Sequence, residues 1–182
     1  ARKSSIVFDS IYDGEQVDQW GAGVRAKGSE TEDMTDCAVR EVEFPRERLL
    51  PRLSPYLQIQ ERRKPVLLIT PAGETVLDLG QNMVGWVSFH DTLPAGTKVR
   101  LQYGEILQQG NFYRDNLRRA KAEFVYISDG KRKEVRPHFT FYGFRYVKLE
   151  GWPGEPDPAD FTGCVIYSRM YRTGELTPSD EN

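Results

Sequence analysis

The residues best suited to chemistry lie in a polar stretch, Glu105 to Lys121, that holds Glu105, Phe112, Tyr113, Asp115, Asn116 and Arg118. Sugars are held by planar polar groups that take paired hydroxyls, set beside an aromatic face that stacks on the C–H surface of the ring. Glu105, Asp115, Asn116 and Arg118 supply the first kind of group, and Tyr113 and Phe112 the second. A carbohydrate site made of Glu105, Tyr113, Asp115, Asn116 and Arg118 is one expectation. The competing one is structural: Arg118 paired with Asp115 or Glu105, and Asn116 capping a turn. Two carboxylates can also do acid/base work on a glycosidic bond that they flank. Sequence spacing sets no separation in space, so Glu105 and Asp115 do not by themselves define a catalytic pair.

Other chemistry finds little support. His90 and His138 are the only histidines, and Cys37 and Cys164 the only cysteines. None falls into a metal-ligand spacing, and no loop has the oxygen-ligand pattern of a calcium site. Neither a metal nor a cofactor is expected. The two cysteines read as buried thiols or as a disulfide, and the sequence leaves both open. Among the large aromatics, Trp86 is expected in the core. Trp152 sits in a loop rich in proline and glycine, is expected to be exposed, and with Tyr142 is the candidate contact to another domain. Asp78, Gln81 and Asn82 read as strand-end and turn groups that bind backbone.

The elements that must position these side chains are strands. Thr97 to Tyr103 alternates cleanly, with Val99, Leu101 and Tyr103 on one face and Lys98, Arg100 and Gln102 on the other. Further strands are expected at Cys37–Phe44, Tyr56–Gln60, Pro65–Thr70, Thr75–Leu79, Gly85–His90, Ala122–Ile127, Phe139–Phe141, Phe144–Leu149 and Phe161–Tyr167. Turn signals at Pro71-Ala72-Gly73, Pro94-Ala95-Gly96 and Asp129-Gly130 separate several of them. No stretch sustains a helical period, although Asn116–Phe124 can supply one turn. Short strands with turns at regular intervals predict an all-β fold, an antiparallel two-layer β-sandwich with a short irregular N-terminal segment. The prolines between Arg46 and Pro55 suit a linker.

Composition narrows the function classes. Of 182 residues, 38% are hydrophobic and 29% charged, as in an ordinary soluble domain. With 25 basic and 27 acidic residues the net charge is −2, so no strong field favours nucleic acid or an anionic membrane. The apolar runs are too short to span a bilayer as helices. No leader pattern is read at Ala1, as in a mature or excised piece.

Four strings occur in order: Asp78-Leu79-Gly80-Gln81-Asn82-Met83-Val84-Gly85-Trp86, Pro94-Ala95-Gly96-Thr97, Asn116-Leu117-Arg118 and Phe141-Tyr142-Gly143-Phe144-Arg145-Tyr146-Val147. Together they resemble the β-sandwich module that precedes the catalytic domain of bacterial α-L-rhamnosidases, glycoside hydrolase family 78. Ile11-Tyr12-Asp13-Gly14-Glu15 is similar to the end of the module before that one. The resemblance implies a jelly-roll or concanavalin-like sandwich at residues 56–170. It implies the tail of a preceding module plus linker at 1–55, and a junction to the catalytic domain at 171–182. In the family, inverting hydrolysis of terminal L-rhamnose uses a carboxylic acid and a carboxylate base. Both lie in an (α/α)6 barrel downstream, so no catalytic residue is expected here. The partners implied are that barrel, in the same polypeptide, and carbohydrate. A periplasmic or secreted parent is expected.

Overall fold

Strict alternation puts Val99, Leu101 and Tyr103 on one side of a strand, and these side chains are 1%, 0% and 0% exposed. The computed structural model describes residues 4–22, 40–177 and 179. Among them are β1 (Ile6–Ser10), β2 (Gly14–Asp18), β3 (Leu57–Arg63), β4 (Val66–Ile69), β5 (Thr75–His90) and β6 (Lys98–Gly104). They are followed by β7 (Ile106–Gln108), β8 (Asn111–Tyr113), β9 (Glu123–Ile127), β10 (Glu134–Val135), β11 (Tyr142–Glu150) and β12 (Phe161–Ser168).

One sheet follows the path β1-β2-β9-β6-β11-β5-β12-β3, with β4 and β10 also paired to β5. The pairings are antiparallel except that of β2 with β9, which is parallel. In that path β6 and β11 separate β9 from β5. At about 4.8 Å per strand, a flat sheet would hold β9 and β5 roughly 14 Å apart. Instead, the rings of Tyr126 on β9 and Phe89 on β5 meet edge to face at 5.7 Å. The sheet therefore curls until its halves face each other, and the expected two-layer sandwich is formed. Phe89, Tyr103, Phe124, Phe144 and Phe161 fill the space between the layers. Burying each such ring is worth about 1.5–3 kcal/mol.

The curl is organised at one place. β5 is 16 residues long and serves both layers. Its first part, Thr75–Asp78, lies between β4 and the second half of β11. Its last part lies between β12 and the start of β11. At the joint, Phe144 opposes Met83 while Tyr146 opposes Asp78, so the single residue Arg145 faces residues 79–82 of β5. This wide bulge bends both strands, as extra residues in one strand of a pair do.

Several expectations change. Thr75–Leu79 and Gly85–His90 are one bent strand, because Gly80, Gln81 and Asn82 bulge outward without breaking it. Gly143 does not interrupt β11. Phe139–Phe141 is not a strand, and Phe139 is 72% exposed. Cys37–Val39 lie outside the described residues, and Cys164 is a buried free thiol. Arg40–Phe44 forms no strand, because Val42 and Phe44, which alternation would bury, find no layer to cover them. The packing of residues 1–55, left open by the sequence, is visible for Ile6–Asp18: β1 and β2 extend the sandwich sheet through β9.

Candidate functional site

The polar excursion between β6 and β9 is a built structure. β7 and β8 pair as a small ribbon, and Asp115–Leu117 forms a single 3-10 turn. Side chains from elsewhere clamp it. Asn111 Oδ1 accepts the Ala72 N–H at 2.9 Å, Glu74 Oε2 the Phe112 N–H at 3.0 Å, and Asp13 Oδ1 the Lys121 N–H at 3.3 Å. Partial burial works against ionisation of Glu74. The Phe112 N–H, the Thr70 hydroxyl and Lys148 outweigh it and hold the carboxyl below its ordinary range. Gly104 lets the ribbon sit close, since a Cβ there would stand 2.9 Å from the Phe112 ring.

Glu105 ties this excursion to the bulge in β5. Its Oε2 accepts the Asn116 amide at 2.9 Å, and its Oε1 accepts the Asn82 amide at 3.4 Å. Next to it the bulge is held from both sides. Arg145 donates Nε to Asp78 Oδ1 at 2.9 Å and Nη2 to Asp78 Oδ2 at 3.0 Å, while Arg63 Nη2 donates to Gln81 Oε1 at 2.8 Å. The Arg145 fork holds the Asp78 carboxyl below the usual aspartate range against partial burial, and the Gly80 N–H assists. The same contact raises the Arg145 guanidinium.

Of the sugar-site candidates, the structure thus joins Glu105 and Asn116 directly. Asn82 belongs with them, a residue the sequence suggested only as a turn former. Its signal was the polar triplet Gly80-Gln81-Asn82 inside an otherwise apolar strand. Tyr113 is half-buried opposite Ile106 in the ribbon. Asp115 and Arg118 are exposed, and neither side chain has an ion-pair partner among the described residues. The ion pair expected from Arg118 to Asp115 or Glu105 does not form. Arg118 itself stands at φ 58°, a positive value uncommon for a residue other than glycine.

The candidate domain contacts sit elsewhere. Tyr142 is 4% exposed and stacks on Tyr103 at 3.8 Å, so it is a core residue and offers no outer surface. Its placement corrects the expectation, and the cause is the bend that turns the start of β11 inward. Trp152 keeps partial exposure, but its ring packs on Phe161 at 4.9 Å and Phe89 at 5.5 Å.

A cavity of about 210 Å³ opens at the seam of β2 and β9, where Asp13, Glu15 and Glu123 contribute carboxylates. Each is committed. Glu15, 2% exposed, accepts the N–H groups of His138 and Phe139 at 2.8 and 3.0 Å and contacts His138 Nδ1 at 2.9 Å. Glu123 lies 3.6 Å from Arg100, and Asp13 holds Lys121. Among the described residues no group of three or more His, Cys, Asp or Glu could hold a metal ion, and no helix is long and apolar enough to cross a membrane.

The molecule is an all-β sandwich whose acidic side chains hold loops in place. The chain belongs to the bacterial alpha-L-rhamnosidase concanavalin-like domain family, whose model matches residues 69–167. It is 47% identical over 106 residues to an alpha-L-rhamnosidase of Streptomyces avermitilis, covering 57% of this chain and 10% of that protein. It is 32% identical over 185 residues to an alpha-L-rhamnosidase of Formosa agariphila, covering 97% of this chain and 20% of that protein. The crystal structure of the native rhamnosidase from Aspergillus terreus matches with a TM-score of 0.82 at 32% identity, over 98% of this chain and 21% of that one. The chain thus spans about a tenth to a fifth of the length of the curated relatives it matches.

Proposed function

We propose that this chain is an accessory, non-catalytic β-sandwich of an α-L-rhamnosidase-like glycoside hydrolase. Its role is to support the catalytic (α/α)6 domain of the same polypeptide and the flank of the sugar cleft. The parent hydrolyses terminal α-L-rhamnose from glycans or glycosides. In this reading residues 56–170 are the sandwich, 171–182 the junction to the barrel, and 1–55 the tail of a preceding module whose Ile6–Asp18 docks as an edge.

The observation that carries the reading is the use made of Glu105. An inverting glycosidase needs one carboxyl group to protonate the leaving oxygen and another, about 6.5–9.5 Å away, to activate water. Glu105 instead spends both oxygens on the amides of Asn82 and Asn116, bracing the excursion against the bulge. The carboxylates of the seam cavity are likewise engaged by protein groups. The named relatives, all alpha-L-rhamnosidases and all far longer, support a supporting role within a larger hydrolase.

One observation favours a second reading, a carbohydrate-binding surface at Glu105, Tyr113, Asp115, Asn116 and Arg118. The Asp115 and Arg118 side chains stand unengaged beside the Glu105–Asn116 pair. Titration of the chain with L-rhamnose, followed by amide chemical shifts, separates the two. The support role predicts no shifts at millimolar sugar. Saturable shifts confined to the excursion would establish the binding surface instead.

A further inference from the structure

The outer face of the layer built by β11, β5, β12 and β3 is unusual for a solvated surface. Directly paired residues of neighbouring strands project to the same side of a sheet. Cys164 pairs with Trp86 on β5 and with Arg62 on β3, and Ile166 pairs with Ile59, so these side chains share the outer side. By alternation Val84 joins them, opposite the bare backbone of Gly143, and Phe141 lies one step beyond. Cys164 and Ile166 are themselves buried, at 1% and 7% exposed, and the apolar residues flanking them are open. Val84 is 44% exposed, Phe141 38%, Ile59 37% and Leu57 53%. Trp86 adds a buried indole N–H with no hydrogen-bond partner.

The rim of the strip is basic. Arg136 lies over the Trp86 ring at 5.6 Å and donates only to the Pro137 carbonyl. Arg62 reaches only the Cys164 sulfur, at 3.5 Å. Neither has a carboxylate partner among the described residues. Of the nearby acids, Asp78 and Glu105 are already engaged, and Glu134 sits beyond Arg136 opposite His90. Guanidinium groups that ring an apolar centre fit a partner with an apolar centre and a carboxylate rim, since planar carboxylates match the Arg fork.

We propose that this face, with Val84 at its centre and Arg62 and Arg136 at its rim, docks an acidic-rimmed apolar surface of the neighbouring domain of the same polypeptide. Two findings select that occupant: the unmatched charge, and relatives of which this chain spans only 10% and 20%. The inference rests on the accessory role proposed above and assigns it a surface. That surface lies on the outer side of the sandwich, away from Tyr142 and Trp152.

The test compares the full parent polypeptide with the 182-residue chain. Carbene footprinting reads burial of the face in each, and thermal melting reads the variants Val84→Asp, Arg62→Glu and Ile11→Ser. Docking predicts that labelling at Val84, Phe141 and Ile59 falls severalfold in the parent relative to the chain. It predicts that Val84→Asp and Arg62→Glu lower the melting temperature of the parent while sparing that of the chain, and that Ile11→Ser, on the β1–β2 turn, alters neither. Equal labelling of the face in both proteins overturns the proposal. In that case protection of another part of the sandwich leaves the accessory role standing, and protection nowhere on it removes both. Protection that grows with the concentration of the chain alone, or that millimolar L-rhamnose produces in the chain, assigns the face to a second copy or to sugar and overturns the proposal as well.

Discussion

Arg145 grips Asp78 through both guanidinium branches, at 2.9 and 3.0 Å, at the point where one residue of β11 faces four of β5. The contact sits where the sheet bends from one layer into the other. A bulge of this width leaves unpaired backbone, and a carboxylate that also accepts the Gly80 N–H at 2.8 Å closes part of that gap. The fork is therefore tied to the geometry on which both the sandwich and the Asn82–Glu105 contact depend.

This contact has a pH signature. Asp78 is depressed in the folded state by its Arg145 partner, so the unfolded chain binds its proton more readily. Its contribution is complete above the unfolded aspartate pKa of about 3.9 and is lost as pH falls through the lower folded value. Asp78→Asn is expected to lower the melting temperature at pH 7, with the gap from wild type closing as the pH approaches 2. Melting curves across that range check it, and a gap independent of pH would show that the carboxylate charge is not the source.

Gly85 faces the Cys164 carbonyl across the β5–β12 pairing. A Cβ at Gly85 would lie 1.8 Å from that oxygen, and its φ is 153°. Gly73 has φ 77° but open space around it. Gly73→Ala is expected to cost about 1–2 kcal/mol, the penalty of left-handed backbone alone. Gly85→Ala should cost more than about 3 kcal/mol or prevent folding, because backbone must move. Urea denaturation of both variants tests the ranking.

Glu15 binds the N-terminal hairpin to the segment before β11. Glu15→Ala leaves the part-buried N–H groups of His138 and Phe139 without their acceptor, at about 1–3 kcal/mol for each group left unsatisfied. Stability should fall accordingly, and hydrogen exchange should rise first in Gln16–Asp18 and His138–Phe139. Unchanged exchange in both segments would show that β1 and β2 are held by the β9 pairing alone.

Glu105→Ala should release Asn116 and Asn82 together. The expected cost is about 1 kcal/mol, because the site is partly solvated and water replaces part of the bonding. Faster exchange is expected at the amides of Leu117, Arg118 and Ala120, whose acceptors belong to the 3-10 turn.

The sequence announced most of the layers and little of the joint between them. Alternation in Lys98–Tyr103 and the apolar run of Phe161–Tyr167 are local signals, and the strands they predict are present. In sequence the bent strand β5 looks like two, because a wide bulge and a loop present the same residues, Gly80-Gln81-Asn82; only pairing around Arg145 distinguishes them. The inward place of Tyr142 is hidden for the same reason, since the bend decides which way the start of β11 faces. The ribbon of β7 and β8 leaves no sequence signal, because three-residue strands carry too little periodicity. Within the candidate site, Glu105 and Asn116 were legible as polar groups of one excursion. Asn82 was not, because its place beside them depends on a contact 23 residues distant in sequence.

The central claim is that this sandwich supports hydrolysis performed elsewhere. Its most direct test is incubation of the purified chain with an aryl α-L-rhamnoside, reading release of the aryl group. No release above a buffer blank is predicted. Turnover that survives repurification and disappears in Glu105→Gln or Asp115→Asn would contradict the account.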